Sequence, residues 1–273
     1  MSKVSGEATP ILRWAGGKRR LVHDLTALLP ARWGTYVEPM AGSAALFFHL
    51  APRKAVLADV NPDLMDFYKI LRDNTSTLVK RLASLRASKA LYYKMRKSSP
   101  TSRLERAVRF AYLNRLCWNG LHRVNREGDF NVPIGDRLPK KLWDPRQLSH
   151  AAKLLKNARL VTSDFETTLH TLKKGDLAFI DPPYPRGAPE SAWFNRYASD
   201  FFLLEDHCRL GKVVESLDEK GVSLMLLMAS YPAILRCYPS SFVRTTFSSK
   251  SLISGKASAR RTIEEVVLRN YSG

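Results

Sequence analysis

Short apolar runs that end in an acid, or lead into one, recur along the chain. Tyr36-Val37-Glu38, Val56-Leu57-Ala58-Asp59 and Leu177-Ala178-Phe179-Ile180, which runs into Asp181, are of strand length. Leu160-Val161-Thr162 and Val222 to Met228 are similar. Between these runs lie stretches with helical spacing, such as Leu210, Val213, Val214 and Leu217. Strands alternating with helices predict an α/β fold whose sheet is largely parallel and covered on both faces. Ligands of such sheets bind beyond the carboxyl ends of the strands. Glu38, Asp59, Asp164 and Asp181 stand at or just after those ends, which makes them the first candidate functional residues.

The middle of the chain has a different pattern. Leu104, Ala107, Val108 and Ala111 fall on one helical face, with Arg103, Arg106 and Arg109 between them. Asn119-Gly120-Leu121, Arg123, Arg126-Glu127-Gly128-Asp129 and Val132-Pro133 follow, and two short extended arms around Gly128 predict a hairpin or structured loop. Residues 72–146 carry 18 Lys or Arg against 6 Asp or Glu, a net of +12 out of +19 for the whole chain. So concentrated an excess predicts a separate, mainly helical module with a surface for phosphates.

The composition fits a globular protein: 273 residues, 45% hydrophobic and 25% charged. Collagen-like, low-complexity and wholly disordered classes are excluded. No apolar run approaches the roughly 18 residues of a membrane span, and Met1 to Pro10 lacks the apolar core of a signal peptide. A pI near 10.1 points to a polyanionic partner, with nucleic acid foremost. Cys117, Cys208 and Cys237 stand far apart, show no zinc-ligand spacing and are not expected to form a disulfide framework, which suits a reducing cytoplasm. The six histidines are scattered, so no metal is expected.

Asp181-Pro182-Pro183-Tyr184 carries the most specific chemistry. Two prolines after a buried strand cannot continue its ladder and make a stiff turn. The Asp181 carboxylate and the Pro182 carbonyl are two acceptors, and Tyr184 is a flat ring. Together they suit the exocyclic amine of a planar base, and the carboxylate would stabilise positive charge developing on that nitrogen. Glu38-Pro39-Met40-Ala41-Gly42-Ser43 follows the first strand, with Gly42 allowing close approach of the backbone and a helix from Ala44 to Leu50 starting beside it. Asp59 ends the next strand, where an acid is placed for a ribose hydroxyl pair. The two suggest a nucleoside-containing cofactor, although the second and third glycines of a dinucleotide fingerprint are missing. Arg13-Trp14-Ala15-Gly16-Gly17-Lys18 is not a phosphate loop, because Leu12 and Arg19 occupy its required glycine and hydroxyl positions. Lys18 and Trp14 remain candidates for a cation and a ring beside a ligand.

In this order, with Ala58-Asp59-Val60-Asn61, Asn119-Gly120-Leu121 and Phe130-Asn131-Val132-Pro133 between them, these motifs resemble those of the Dam-type, D12 class DNA adenine-N6 methyltransferases over about Leu12 to Tyr271. The resemblance implies a seven-stranded, mostly parallel Rossmann-like sheet with helices on both faces. It implies a catalytic domain of residues 1–71 and 147–273 that uses S-adenosylmethionine, and a target-recognition insertion of residues 72–146. By the family pattern Trp14, Lys18, Asp59 and Asp181 contact the cofactor, Glu38 and Gly42 line its pocket, and Asp164 and Phe165 border its adenine. Asp181, Pro182, Pro183 and Tyr184 form the catalytic corner. Trp118, Asn119, Arg123, Asn125, Pro133 and Arg137 face DNA, with Arg123 at the position of a guanine-reading arginine and Trp118 at that of the aromatic inserted beside the vacated base. Ala44 replaces a second glycine, and Arg137 replaces the aromatic of a GATC-reading enzyme, so the site is GATC or a related short sequence.

The expected reaction is direct methyl transfer, without metal, to an adenine flipped out of duplex DNA. The expected protein is a cytoplasmic monomer, either a solitary enzyme or the modification half of a restriction system. Methylation of cytosine N4 or RNA adenine is the alternative within this chemistry. A non-catalytic DNA-binding protein with a vestigial cofactor fold is the alternative outside it.

Overall fold

The computed structural model describes residues 10–125, 127–183, 202–250 and 262–272. Tyr184 and Arg126, both singled out above, lie outside the described residues. The chain divides into two units, Met1–Ala27 with Ala41–Thr162 and Leu28–Met40 with Ser163–Gly273.

Seven strands form a mostly parallel sheet. In the first unit β2 (Ala55–Asp59) pairs in parallel with β3 (Ala158–Thr162), from Ala55↔Ala158 to Asp59↔Thr162. The second unit holds β1 (Tyr36–Glu38), β4 (Leu177–Ile180), β5 (Ser223–Ala229), β6 (Val243–Lys250) and β7 (Thr262–Arg269). There β1, β4 and β5 are parallel, β7 runs antiparallel to β5, and β6 runs antiparallel to β7. The parallel strands are the apolar runs that the sequence pattern picks out. Leu57, Ala58, Leu177, Ala178 and Leu224 to Ala229 have no exposed surface. Neither β6 nor β7 stands out in that pattern, because β6 reads Val-Arg-Thr-Thr-Phe-Ser-Ser-Lys and β7 places Glu264-Glu265 ahead of its apolar centre.

With β2 and β3 the first unit holds α1 (Val22–Ala27), α2 (Ala45–Leu50), α3 (Pro62–Asp73), α4 (Thr75–Ala83), α5 (Lys89–Lys97), α6 (Arg103–Leu116) and α7 (Pro145–Leu155). Helix α3 starts where it does because Asn61 caps it, its Oδ1 accepting from Leu64 N–H at 3.1 Å, and Pro62 takes the first turn, where no amide is needed. It buries Leu64, Met65, Phe67, Tyr68, Ile70 and Leu71. Fully burying each such side chain stabilises the fold by roughly 1.5–3 kcal/mol before entropy is counted. Helix α6 forms at the predicted periodicity and is buried along most of its length. Its arginines are engaged within the unit. Arg103 and Arg106 reach Asp66 at 3.0 and 3.8 Å, and Arg109 donates to the Met95 and Arg96 carbonyls at the end of α5. Arg81 makes a two-pronged bond to Glu105 at 2.8 and 2.9 Å. The cationic excess thus includes members that hold helices together as well as members facing solvent. The predicted hairpin is present, with Val124 bridging Phe130 antiparallel across the turn that contains Gly128.

In the second unit α8 (Phe165–Leu169), α9 (Leu204–Glu219) and α10 (Pro232–Leu235) accompany the strands. Helix α9 buries Leu210, Val213, Val214 and Leu217, the face expected from their spacing. Cys208 on α9 and Cys237 just after α10 are disulfide-bonded, with Cα atoms 4.6 Å apart, which corrects the expectation that the cysteines stand apart. Sequence separation conceals this pairing, because it is the packing of α10 on α9 that brings them together. Cys117 is free and buried, and burial pushes its thiol up to about 11. Among the described residues no helix is long and apolar enough to cross a membrane.

Candidate active site and nucleic-acid interface

In the first unit the loop Arg13–Lys18 is shaped by backbone bonds and one buried amide. Gly17 N–H donates to the Trp14 carbonyl at 2.9 Å, and Lys18, a residue only 5% exposed, donates its Nζ to the Gly16 carbonyl at 3.0 Å. Asn114 on α6 accepts from Arg13 N–H at 3.0 Å and donates to the Arg13 carbonyl at 2.7 Å. The loop then lays the Trp14 ring on Gly42. A Cβ at Gly42 would stand 2.9 Å from Trp14 Cδ1 and Nε1, and Gly42 has φ +47°, so two independent reasons demand glycine there.

Gly42 is tied to Asp59 at the end of β2. Its N–H donates to Asp59 Oδ2 at 3.0 Å, while Asn61 N–H donates to Oδ1 at 3.0 Å. Tyr68 donates its hydroxyl to the Gly42 carbonyl at 2.9 Å. Burial raises the Asp59 carboxyl above its ordinary value, against the lowering effect of the backbone N–H groups of Asn61, Gly42 and Val60. Each carboxylate oxygen has a second lone pair, so Asp59 can still accept from a hydroxyl pair. Ala44, where a glycine was expected, also adopts the left-handed region at φ +50° and precedes α2.

The DNA-facing candidates belong to the same unit. Trp118 is half-buried, and Asn119 is exposed at φ +52°. A Cβ on Gly120 would lie 2.8 Å from Arg13 Cβ and 2.9 Å from Arg13 backbone, so this glycine seats the segment on the Arg13 loop. Arg123, Asn125, Pro133 and Arg137 are exposed. The Arg123 Nε donates to Asn131 Oδ1 on the facing arm at 2.7 Å, which ties the guanidinium to the hairpin. Asn125 has a local duty, its Oδ1 accepting from Asp129 N–H at 2.7 Å to close the turn. The Pro133 carbonyl accepts from Trp118 N–H at 3.0 Å.

In the second unit Glu38 ends β1 at 3% exposure, and its Oε1 accepts from the Tyr36 hydroxyl at 2.6 Å. Burial first, and the Glu38 charge second, drive the Tyr36 phenol well above its ordinary value. Strand alternation puts residues two apart on one face, a signal by which Tyr36 could have been found. Asp181 comes directly after Ile180, whose partner in the ladder is Leu226. It is half-buried, Pro182 is buried and Pro183 is exposed. Asp164 also has structural partners. It caps α8 and forms a two-pronged bond with Arg209 at 2.9 and 3.1 Å, and that guanidinium lies 4.1 Å over the Phe165 ring. Burial pushes the Asp164 carboxyl up, but Arg209 and the Glu166 N–H outweigh it and hold the group below its ordinary value.

Tyr68, Asn114 and His122 also hold the first-unit candidates and were not singled out from sequence, and Asn61 was named only within its motif, without a role. The long-range contacts, 101 residues apart for Asn114 and Arg13 and 61 for Asn61 and His122, leave no local pattern.

Residues 14–260 match the family described as D12 class N6 adenine-specific DNA methyltransferase. The chain is 34% identical to the Type II methyltransferase M1.LlaDCHI of Lactococcus lactis subsp. cremoris, over 96% of this chain and 95% of that protein. It is 31% identical to the Type II methyltransferase M.MjaIII of Methanocaldococcus jannaschii, over 97% and 100%. It is 33% identical to the DNA adenine methylase of Escherichia coli K12, over 79% and 78%. With strands closed by acids, a glycine-lined turn beside Asp59 and an Asp-Pro-Pro corner already in place, this chain belongs to the D12 class N6 adenine-specific DNA methyltransferases.

Proposed function

We propose that the protein binds S-adenosylmethionine and methylates the N6 amine of an adenine extruded from duplex DNA at GATC or a related short site. The observation that carries this reading is the end of β4. There the ladder stops at Ile180, and the next residues are an acid, a buried proline and an exposed proline. The corner is rigid because neither proline can rejoin the sheet. Asp181 and the Pro182 carbonyl accept the two N–H bonds of the amine and aim its lone pair, and the Asp181 carboxylate balances the positive charge that grows on nitrogen.

The residues fit the proposed donor. Asp59, bonded by the Gly42 and Asn61 N–H groups among others, retains acceptor capacity for ribose hydroxyls, and Gly42 keeps the wall beside it free of a side chain. When bound, S-adenosylmethionine supplies an electrophilic methyl on a sulfonium. In this assignment Trp14 and Lys18 border the donor, Glu38 lines its pocket, and Asp164 and Phe165 border its adenine ring. Tyr184, outside the described residues, stacks on the target base. Residues 72–146 dock on DNA, with cations on phosphates, Arg123 in the major groove and Trp118 beside the vacated base. Asn119, Asn125, Pro133 and Arg137 complete that surface, and the protein acts as a monomer.

The test is transfer of a tritiated methyl from labelled donor into adenine-containing duplex, with Asp181→Ala alongside. The variant should lose at least about 100-fold in turnover, the scale of removing one charge-stabilising group. Wild-type turnover in that variant removes the carboxylate from the mechanism.

A further inference from the structure

Arg123 is held from one side by Asn131, which bonds its Nε and whose N–H donates to its carbonyl at 3.1 Å. The preceding residue, His122, supplies the other hold. Its Nδ1 lies 3.3 Å from Asn61 Nδ2, and the Asn61 amide is not free to turn over, because its Oδ1 accepts from Leu64 N–H as the cap of α3. The group presented to His122 is therefore a donor, so Nδ1 must accept and the ring proton must sit on Nε2. Three aromatics flank the half-buried ring. Trp14 stacks at 6.1 Å with an interplanar angle of 18°, and Phe110 and Phe130 lie at 5.8 and 5.7 Å. Asn61 in turn donates its own N–H to Asp59. One short path of bonds thus runs from the acid at the end of β2, through the α3 cap, to the residue before Arg123.

A void of about 20 Å³, room for roughly one water, lies between the hairpin and α3 and α6, flanked by Asp63, Arg109, Leu121, His122 and Phe130. Packing beside His122 is therefore incomplete, and the directional bond to Asn61 adds to what seats the arm.

We propose that His122 is a specificity-determining positioning residue: the bond accepted by its Nδ1 sets the register of the Arg123 arm against the turn that carries Asp59. This rests on the reading of Arg123 as a base-contacting arginine. Phenylalanine at 122 keeps a ring without an acceptor. Asparagine loses the ring but places an acceptor close to the position of Nδ1.

The experiment uses the full-length protein, S-adenosylmethionine and two duplexes. One carries the methylated site, identified by modified-adenine sequencing of DNA from expressing cells, and the other differs by one base pair beside the target adenine. His122→Phe should raise KM for the cognate duplex roughly 5-fold, more than it lowers kcat, and shrink the ratio between the duplexes by a similar factor, the worth of one neutral hydrogen bond. His122→Asn should recover most of both. Arg123→Ala, run in parallel, tests the reading beneath. If Arg123→Ala leaves the ratio at the wild-type value, that reading fails. If Arg123→Ala lowers the ratio but His122→Phe does not, the positioning role fails. If His122→Phe does not fold, His122→Asn still decides, because a full loss there shows that ring packing rather than the acceptor matters and overturns the proposal.

Discussion

The Asn114 side chain closes a two-way amide clamp on Arg13, accepting from its N–H and donating to its carbonyl across 101 residues of sequence. It is the kind of exchange one strand makes with another, performed by a helix side chain on a loop. Its consequence is functional, since the next residue is Trp14, whose ring lies on Gly42.

Asn114→Ala should lower the unfolding free energy by about 2 kcal/mol, because two backbone groups of Arg13 lose their partner in a part-buried setting. Urea unfolding should show an earlier midpoint with an unchanged slope. Calorimetry with S-adenosylhomocysteine should show weaker binding at temperatures where the variant remains folded. Unchanged binding would mean that the Trp14 loop holds its shape without the clamp.

Gly42 and Ala44 should respond in opposite directions to exchange of their residue types. Both have positive φ, but only Gly42 faces a ring at 2.9 Å from its would-be Cβ. Gly42→Ala should cost about 1–2 kcal/mol from backbone conformation alone, with more from displacing Trp14, and should weaken binding of S-adenosylhomocysteine. Ala44→Gly relieves the left-handed strain at a smaller entropic cost and should be neutral or stabilising by up to about 1 kcal/mol. Thermal melts of the two variants check the signs.

His207 makes stability depend on pH. It is fully buried, its Nδ1 lies 2.9 Å from the Tyr238 hydroxyl, and burial lowers its pKa to about 4, with Asp206 opposing. The unfolded chain takes up this proton near the ordinary histidine value, and the folded chain only near 4. The contribution is therefore fully present above about pH 6.5, falls as pH drops toward 4, and changes no further below. The loss amounts to roughly 3 kcal/mol over that window. Urea unfolding at pH 7 and pH 4.5 should show it, and His207→Asn, which keeps a partner for Tyr238 but does not titrate in this range, should flatten this part of the profile. A wild-type profile without that fall would place the charged ring in the folded protein.

DNA affinity should fall steeply with salt. Phosphate contacts release counterions, with a logarithmic slope of about 0.9 per contact. Six contacts would cost about 10³-fold between 50 and 200 mM salt. The exposed cations Arg123, Arg137, Lys140 and Lys141 are the ones to neutralise, since Arg103, Arg106 and Arg109 are engaged in holding helices. A flat salt response would exclude phosphate docking by this surface.

How far the sequence was legible depends on the range of the interactions. The strands β1 to β5, and the acids at or just after the ends of β1 to β4, could be read directly, because a buried strand is a largely apolar run and its end is a change of polarity a few residues wide. The α6 face and the Gly128 hairpin were equally local. Strands β6 and β7 escaped because their partners, not their own composition, make them strands; Glu265 is buried at 2% exposure in β7. The Cys208–Cys237 bond was missed for the same reason, since helix packing rather than spacing joins the two.

Taken alone, the amino-acid order determined the α/β alternation, the basic middle segment and the acid-closed strand ends, all set by hydrophobic period, charge count and the stiffness of proline. Only the tertiary structure decided which side chains fill secondary roles: Asn114 on Arg13, Asn61 on His122, Arg109 on the end of α5, Trp14 on Gly42. Each of these is a single directional bond or close contact between residues distant in the chain. Such contacts exist only once the burial of the apolar residues has brought the segments together, so no short window of sequence carries their trace.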